Sequence, residues 1–345
     1  MSDQPVRRRA WPRRLLLIVL LLMAGALAYG WFDYAHFGST SLNVAAQGDS
    51  IDIGRGSSFK GIVGELRQRG FSTANPWYWR LLAEQMHVSG KLHAGEYALE
   101  PGITPRQLLA NMAAGRVLQR NFTIVDGWTF TELRQALAKA EKLKHDSAAL
   151  DDAAIMQRIG AGGEAPEGRF LPETYAYVKG DSDLDILRRA HAAMVKTLDE
   201  LWPGRAPDLP LATPYEALIL ASIVEKETGV PAERAQIAGV FVRRLENHML
   251  LQTDPSVIYG MGVNYAGNIR KSDLITDTPY NTYTRAGLPP TPIALPGKPA
   301  LVAALHPAAG DALYFVARGD GGHVFSSTLE EHNRNVDCYQ RKRCR

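Results

Sequence analysis

Ile219-Leu220-Ala221-Ser222-Ile223-Val224-Glu225-Lys226-Glu227-Thr228 is the stretch on which the reading of this chain turns. It closes an almost wholly apolar run that begins at Ala217, and it passes straight into two carboxylates. A helix that is apolar on every side belongs inside a packed domain. A carboxylate at the end of such a helix is costly to ionise, so its pKa rises and it can hold a proton near neutrality. A general acid needs that property. The plainer reading is that both glutamates mark the solvated end of a core helix. These ten residues alone leave both readings open.

Working outward, Thr213 and Pro214 have the order expected of an N-cap and a first helical residue, and Gly229 and Pro231 end the pattern. A helix is therefore expected over residues 213–228, with a second over residues 231–247. Upstream, Ile186, Leu187, Ala190, Met194, Val195 and Leu198 fall on one face of an amphipathic helix over residues 184–202. Gly168 and Pro172 mark a turn through Glu167-Gly168-Arg169-Phe170-Leu171-Pro172-Glu173. Residues 147–168, rich in Ala, Gly, Asp and Glu, are expected to form a helix and a loop. Beyond Leu251 the texture becomes polar and Gly/Pro-punctuated, as extended loops. Leu313-Tyr314-Phe315-Val316-Ala317 and Val324-Phe325-Ser326 read as a hairpin.

Towards the N-terminus a weak echo recurs at Gly56-Ser57-Ser58-Phe59, Gly102-Ile103-Thr104-Pro105 and Gly127-Trp128-Thr129-Phe130. Each is a glycine turn with a Ser or Thr able to cap a helix, followed by apolar residues at helical spacing. Short β-prone runs lie between them, Tyr97-Ala98-Leu99 and Phe122-Thr123-Ile124-Val125. Trp77, Tyr78 and Trp79 are either sugar-stacking rings or core.

Residues 15–32 carry no charge and are long enough to span a bilayer with little tilt. Arg7, Arg8, Arg9, Arg13 and Arg14 precede them, and Tyr29, Trp31 and Phe32 close them. Basic flanks stay in the cytoplasm and aromatics favour the interface. The expected topology is a single-pass anchor in the inner (cytoplasmic) membrane, N-terminus cytoplasmic and the remainder periplasmic. Ala26-Leu27-Ala28 also resembles a signal-peptide cleavage site, but the apolar run continues past it. The whole chain has a net charge of +3, and five arginines against Asp3 give the first 14 residues +4. The basic balance is thus a topology signal, and no nucleic-acid footprint is expected. Cys338 and Cys344 can close a small local loop in an oxidising compartment. No metal cluster, phosphate loop or nucleotide cofactor is expected.

Ser222-Ile223-Val224-Glu225-Lys226-Glu227-Thr228 resembles the signature of the endolytic murein transglycosylases, the YceG-like family. So do Leu251-Gln252-Thr253-Asp254-Pro255-Ser256-Val257-Ile258-Tyr259-Gly260, Tyr280-Asn281-Thr282-Tyr283 and Gly287-Leu288-Pro289-Pro290. His306-Pro307-Ala308, Gly322-His323-Val324-Phe325 and His332-Asn333 extend the match. The resemblance implies an α+β chain: a transmembrane helix, a small LysM-like module, then a mixed α/β catalytic domain with a helical core and polar groove loops. Its divisions are a cytoplasmic tail (1–14), anchor (15–32), connector (33–46), LysM-like module (47–120), linking element (121–160), catalytic domain (161–337) and basic tail (338–345).

The same resemblance implies a lyase that cuts the MurNAc–β-1,4–GlcNAc bond of peptidoglycan without water, leaving a 1,6-anhydroMurNAc end and limiting nascent glycan strands. Glycan strands and the membrane are the implied partners, with peptidoglycan synthases as a further association. A hydrolase generally needs two flanking carboxylates. An internal hydroxyl that replaces water lets one acid–base residue suffice. Glu225 and Glu227 point to opposite sides of a helix. Glu227, aligned with Ile223 and Leu220, is the expected catalytic residue. Gln252, Thr253, Asp254, Tyr259, Tyr280, Asn281, Thr282 and Tyr283 are the expected substrate-binding residues. Two other classes remain: a non-catalytic wall-binding scaffold, and a glycoside hydrolase with Asp254 or Glu173 as second carboxylate.

Overall fold

The chain is described here from a computed structural model, over residues 11–45 and 48–343. It divides into two compact units, one ending at Gln119 and one beginning at Arg120. Cys344 and the arginines at positions 7, 8 and 9 lie outside the described residues, and with them the expected tail loop.

The first unit contains helix α1 (Trp11–Phe37), strand β1 (Asp49–Ile53), helices α2 (Phe59–Gln68) and α3 (Pro76–Gln85), strand β2 (Gly95–Leu99) and helix α4 (Pro105–Ala113). β1 and β2 pair antiparallel, Ile51 opposite Tyr97. Their inner faces pack with Leu66, Trp79, Leu82, Leu108 and Met112 into one core. Ser58 and Thr104 cap α2 and α4 through their side chains, as their echoing glycine turns anticipate. Among the described residues one helix, Arg14–Phe37, is long and apolar enough to cross a membrane, with mean hydropathy 2.4. Residues 33–37 were expected in a connector, yet they continue α1. The reason is tertiary: Tyr34 donates to Gln85 Oε1 at 2.8 Å and Phe37 packs edge-on to Trp79 at 5.3 Å.

Strand β3 (Gln119–Thr123) starts at the boundary residue, and the second unit continues with α5 (Phe130–Leu137) and α6 (Asp152–Ile159). Strand β4 (Thr174–Val178), which pairs with β3, precedes the long helix α7 (Asp183–Leu201). The core helices α8 (Pro214–Glu227) and α9 (Arg234–Glu246) follow, then α10 (Asp254–Met261), α11 (Lys271–Ile275) and α12 (Lys298–Leu305). Strands β5 (Tyr314–Ala317) and β6 (His323–Ser326) form an antiparallel hairpin, and α13 (Leu329–Asn335) closes the fold.

Every residue of α8 from Ala217 to Val224 is buried, because α9, α10 and α12 all pack against it. Thr213 caps the helix and Pro214 occupies its first turn. Ser222 is the one polar residue in the buried run. Its hydroxyl donates to the Ile219 carbonyl (2.7 Å) and accepts from the Ile293 amide (3.0 Å), so α8 is tied to the chain that leads into α12. Several segments differ from expectation, since α11 and the buried α12 also form beyond Leu251, where extended loops were expected. Residues 254–261 form a helix rather than a loop, with Pro255 in its first turn and Ser256 and Val257 buried. Pro231 opens a single 3-10 turn, and the regular helix begins at Arg234.

Candidate active site

The end of α8 separates its two glutamates. Glu225 turns towards the segment 126–128 and the start of α12, and its side chain is only 6% exposed. It accepts the Gly297 amide at 3.1 Å and lies 3.5 Å from the Arg234 guanidinium. Burial raises its pKa, with the neighbouring Asp126 adding to the effect and Arg234 opposing it. The junction is tight, since a β-carbon on Gly297 would fall within 2.3 Å of Asp126 Oδ1.

Glu227 faces the other way, into a cleft of about 430 Å³ walled by α8, α9, the 251–254 segment and the β5–β6 hairpin. The residue is partly covered, but its carboxyl is packed closely by protein. Burial is the largest influence on it and raises its pKa to about 7. Asp254 adds to the rise, while the Thr253 hydroxyl, His323 and Arg244 oppose it. The Thr253 hydroxyl donates directly to Glu227 Oε1. Such a carboxyl is populated in both protonation states near neutrality, as acid–base catalysis requires.

Thr253 is itself fixed. Its amide donates to Thr282 Oγ1 at 3.0 Å, and Thr282 lies 2.9 Å from the Ser256 hydroxyl. Gln252, just before it, sits in the left-handed region at φ +52°, an unfavourable conformation for a side chain with a β-carbon. Its amide bonds the Thr282 carbonyl at 3.1 Å. Asp254 accepts from the Tyr283 hydroxyl at 2.5 Å, and burial raises the tyrosine's pKa, so the phenol keeps its proton.

The expected binding residues therefore fall into three groups. Gln252, Asp254 and Tyr283 line the cleft with Glu227, and Thr253 touches Glu227 from behind the wall. Asn281 and Thr282 are buried. The Asn281 amide group donates to the carbonyls of Asp273, Leu274 and Thr276, and its Oδ1 accepts from the Tyr283 amide. Tyr259 and Tyr280 meet edge to face at 4.8 Å away from the cleft wall. The Tyr259 hydroxyl donates to Glu167 (3.1 Å), a buried carboxyl whose pKa burial raises to about 7 and which also takes the Phe130 amide at 3.0 Å. Glu173 is an exposed turn residue.

Sequence reasoning did not assign the opposite wall. Arg244, from the last turn of α9, is 7% exposed and donates to the carbonyls of Leu250, Leu251 and Leu313 at 3.1, 2.9 and 2.7 Å. It holds the approach to Gln252 against β5, and its guanidinium lies 5.1 Å from the Tyr314 ring centre. His323 is anchored by Glu233 at 2.8 Å, and His332 stacks on Tyr314 at 5.2 Å. Both histidines lie in segments already noted for their family likeness. Arg244 carried no such signal, because a charged residue ending a helix normally reads as solvated. No group of three or more His, Cys, Asp or Glu with metal-binding geometry occurs among the described residues.

The endolytic murein transglycosylase of Bacillus subtilis (strain 168) is 30% identical over 343 residues, covering 92% of this chain and 91% of that protein. The endolytic murein transglycosylase of Streptococcus pneumoniae (serotype 2, strain D39) is 26% identical over 93% of this chain, which spans 63% of that protein. The crystal structure of a yceG-like protein of Listeria monocytogenes superposes with a TM-score of 0.51 at 29% identity, over 84% of this chain and 99% of that one. The sequence matches the YceG-like family across residues 51–338, which takes in Glu227, Gln252, Asp254 and Tyr283 of the cleft, and the chain belongs to that family.

Proposed function

We propose that the chain is an endolytic peptidoglycan lytic transglycosylase that breaks the MurNAc–β-1,4–GlcNAc bond without water. The observation that carries the reading is the Glu227 carboxyl: held near pKa 7, oriented by Thr253 and facing a polar cleft. Protonated, it gives its proton to the bridging oxygen as the bond to MurNAc C1 breaks, and the GlcNAc side leaves with a free 4-hydroxyl. The resulting carboxylate then takes the proton of the MurNAc 6-hydroxyl while that oxygen closes onto C1. The proton returns to Glu227 and the product ends in 1,6-anhydroMurNAc. One carboxyl serves both steps because its pKa lies close to ambient pH.

In this reading Gln252, Asp254 and Tyr283 contact sugar hydroxyl and acetamido groups, and Thr253 positions the acid. Tyr259, Tyr280, Asn281 and Thr282 hold the wall from behind. Glu225, tied to Arg234 and Gly297, is structural. Helix α1 is the membrane anchor, with the arginine-rich end cytoplasmic and both units periplasmic. The βααβ order of β1, α2, α3 and β2 supports a LysM-like module that holds glycan. Acting on nascent strands, such an enzyme would limit their elongation alongside the synthases that make them.

The test is mass spectrometry of glycan products from purified sacculi incubated with the protein and with Glu227→Gln. Internal cuts ending in 1,6-anhydroMurNAc, lost in the variant, are expected. Reducing MurNAc ends would establish water as the acceptor and turn the assignment to a hydrolase with Asp254 as second carboxylate. Binding without cleavage by the unaltered protein would leave a scaffold.

A further inference from the structure

The Trp77-Tyr78-Trp79 cluster divides three ways, and the division runs along α1. Trp79 is fully buried and packs on Phe37, and Leu82 lies beside Gly38. One step around α3, the Tyr78 ring meets Tyr34 at 5.7 Å and its hydroxyl donates to Asp33 at 2.8 Å, while Gln85 accepts from Tyr34. At 100° per residue, the strip through Trp79 and Leu82 thus faces positions 37 and 38 of α1. The strip through Tyr78 and Gln85 faces positions 33 and 34, with the Tyr78 ring also 5.8 Å from Phe37. The next strip in the same direction carries Leu81 and Trp77. Tyr78 also feels Tyr29, a further turn down α1, so the α1-facing side of α3 reaches the aromatic end of the span at Tyr29, Trp31 and Phe32. Those are the exposed aromatics that end the apolar span.

Trp77 is 69% exposed and Leu81 49%. Neither is needed to form α3, which is capped by Asn75 and opened by Pro76. Beside Trp77 runs a shallow apolar groove between α2 and α3, with the cations Lys60 and Arg80 at its rim. The Arg80 guanidinium lies 5.7 Å from the Trp77 ring centre and also pairs with Glu84. Tryptophan at the headgroup level, an aliphatic neighbour and flanking cations make up the chemistry of a bilayer interface.

We infer that the Trp77–Leu81 face of α3 is a membrane-contact surface, seated in the lipid headgroup–acyl boundary beside α1. The first unit is then held flat on the bilayer by two contacts, the span and this strip, so that it cannot swivel on a single helix. The inference rests on the reading of α1 as an anchor, and its test separates the two.

Full-length protein carrying Leu81→Cys or Leu21→Cys is labelled with an environment-sensitive fluorophore, no free cysteine occurring among the described residues. It is then reconstituted into phosphatidylethanolamine–phosphatidylglycerol vesicles containing acyl-chain nitroxide lipid. The position-81 probe is expected to be quenched at least about half as strongly as the mid-span probe, as befits shallow insertion. Adding Trp77→Ser to Leu81→Cys should reduce that quenching by about twofold or more, which a probe driving its own insertion would not show. Quenching at position 21 without quenching at 81 overturns the contact surface and leaves the anchor. Quenching at neither position removes the anchor, and the surface with it.

Discussion

Thr253→Val is the most direct test of how the fold sets the acid. Valine has the shape of threonine, the site is 1% exposed, and the amide that bonds Thr282 is untouched, so the change removes only the hydroxyl that donates to Glu227. That bond favours the ionised carboxylate and opposes the rise caused by burial. A hydrogen bond to a charged group contributes about 1.5–3 kcal/mol. At about 1.4 kcal/mol per pH unit, its loss should move the Glu227 pKa upward from about 7 by roughly one to two pH units. The proposed reaction starts from the protonated acid. The descending alkaline limb of kcat/KM against pH, which reports the free enzyme, should therefore shift upward by that amount. Loss of orientation should also lower kcat about tenfold at pH 6, a modest misplacement cost. Thr253→Ser, which keeps the hydroxyl, should leave the limb in place. Circular dichroism and thermal melting establish that each variant is folded. An alkaline limb that does not move in folded Thr253→Val would refute the claim that this bond holds down the rise that burial imposes on the acid's pKa.

Glu227→Gln should separate activity from stability. The folded pKa of about 7 lies above the ordinary carboxylate value of 4.5, so the folded state binds the proton more tightly. Stability contributed by the protonated form is present below pH 4.5 and is lost as pH rises through 7. The inactive glutamine variant should match the unaltered protein at pH 4 and exceed it at pH 8 by up to about 3 kcal/mol in urea unfolding; equal stability at both pH values would contradict this. Gly168→Ala should destabilise by about 3 kcal/mol, read as a lower Tm. Gly168 has φ +79°, and a β-carbon there would lie 2.5 Å from Pro292. A variant melting with the unaltered protein would show that the turn yields.

The α8 sequence is legible because its chemistry is local. Apolar residues on every face, Thr213 and Pro214 at the start and Gly229 after the end leave little choice of element. The capped helices after Gly56, Gly102 and Gly127 are readable for the same reason, since a cap is formed by neighbours three residues apart. The segment 254–261 shows the opposite case. Its Pro, Gly and polar residues read as loop, and it becomes helical because Ser256 and Val257 are buried and the Ser256 hydroxyl bonds the Thr253 carbonyl and the distant Thr282 hydroxyl. Arg244 illustrates why half the cleft was not legible. Its three carbonyl partners lie six, seven and sixty-nine residues away, and no local pattern encodes that convergence.

By itself the sequence determined that a buried helix ends in two glutamates, that an apolar span follows a basic tail, and that the family motifs begin in that helix and follow it along the chain. Helical periodicity, capping and hydrophobic length are properties of adjacent residues, so a single chain displays them. Only the tertiary structure decided that Glu227 faces a cleft while Glu225 is clamped by Arg234 and Gly297. It alone divided Trp77, Tyr78 and Trp79 among solvent, helix α1 and core. Desolvation, electrostatic field and the facing of a side chain depend on what packs against it from elsewhere in the chain, and those neighbours exist only once the fold has formed.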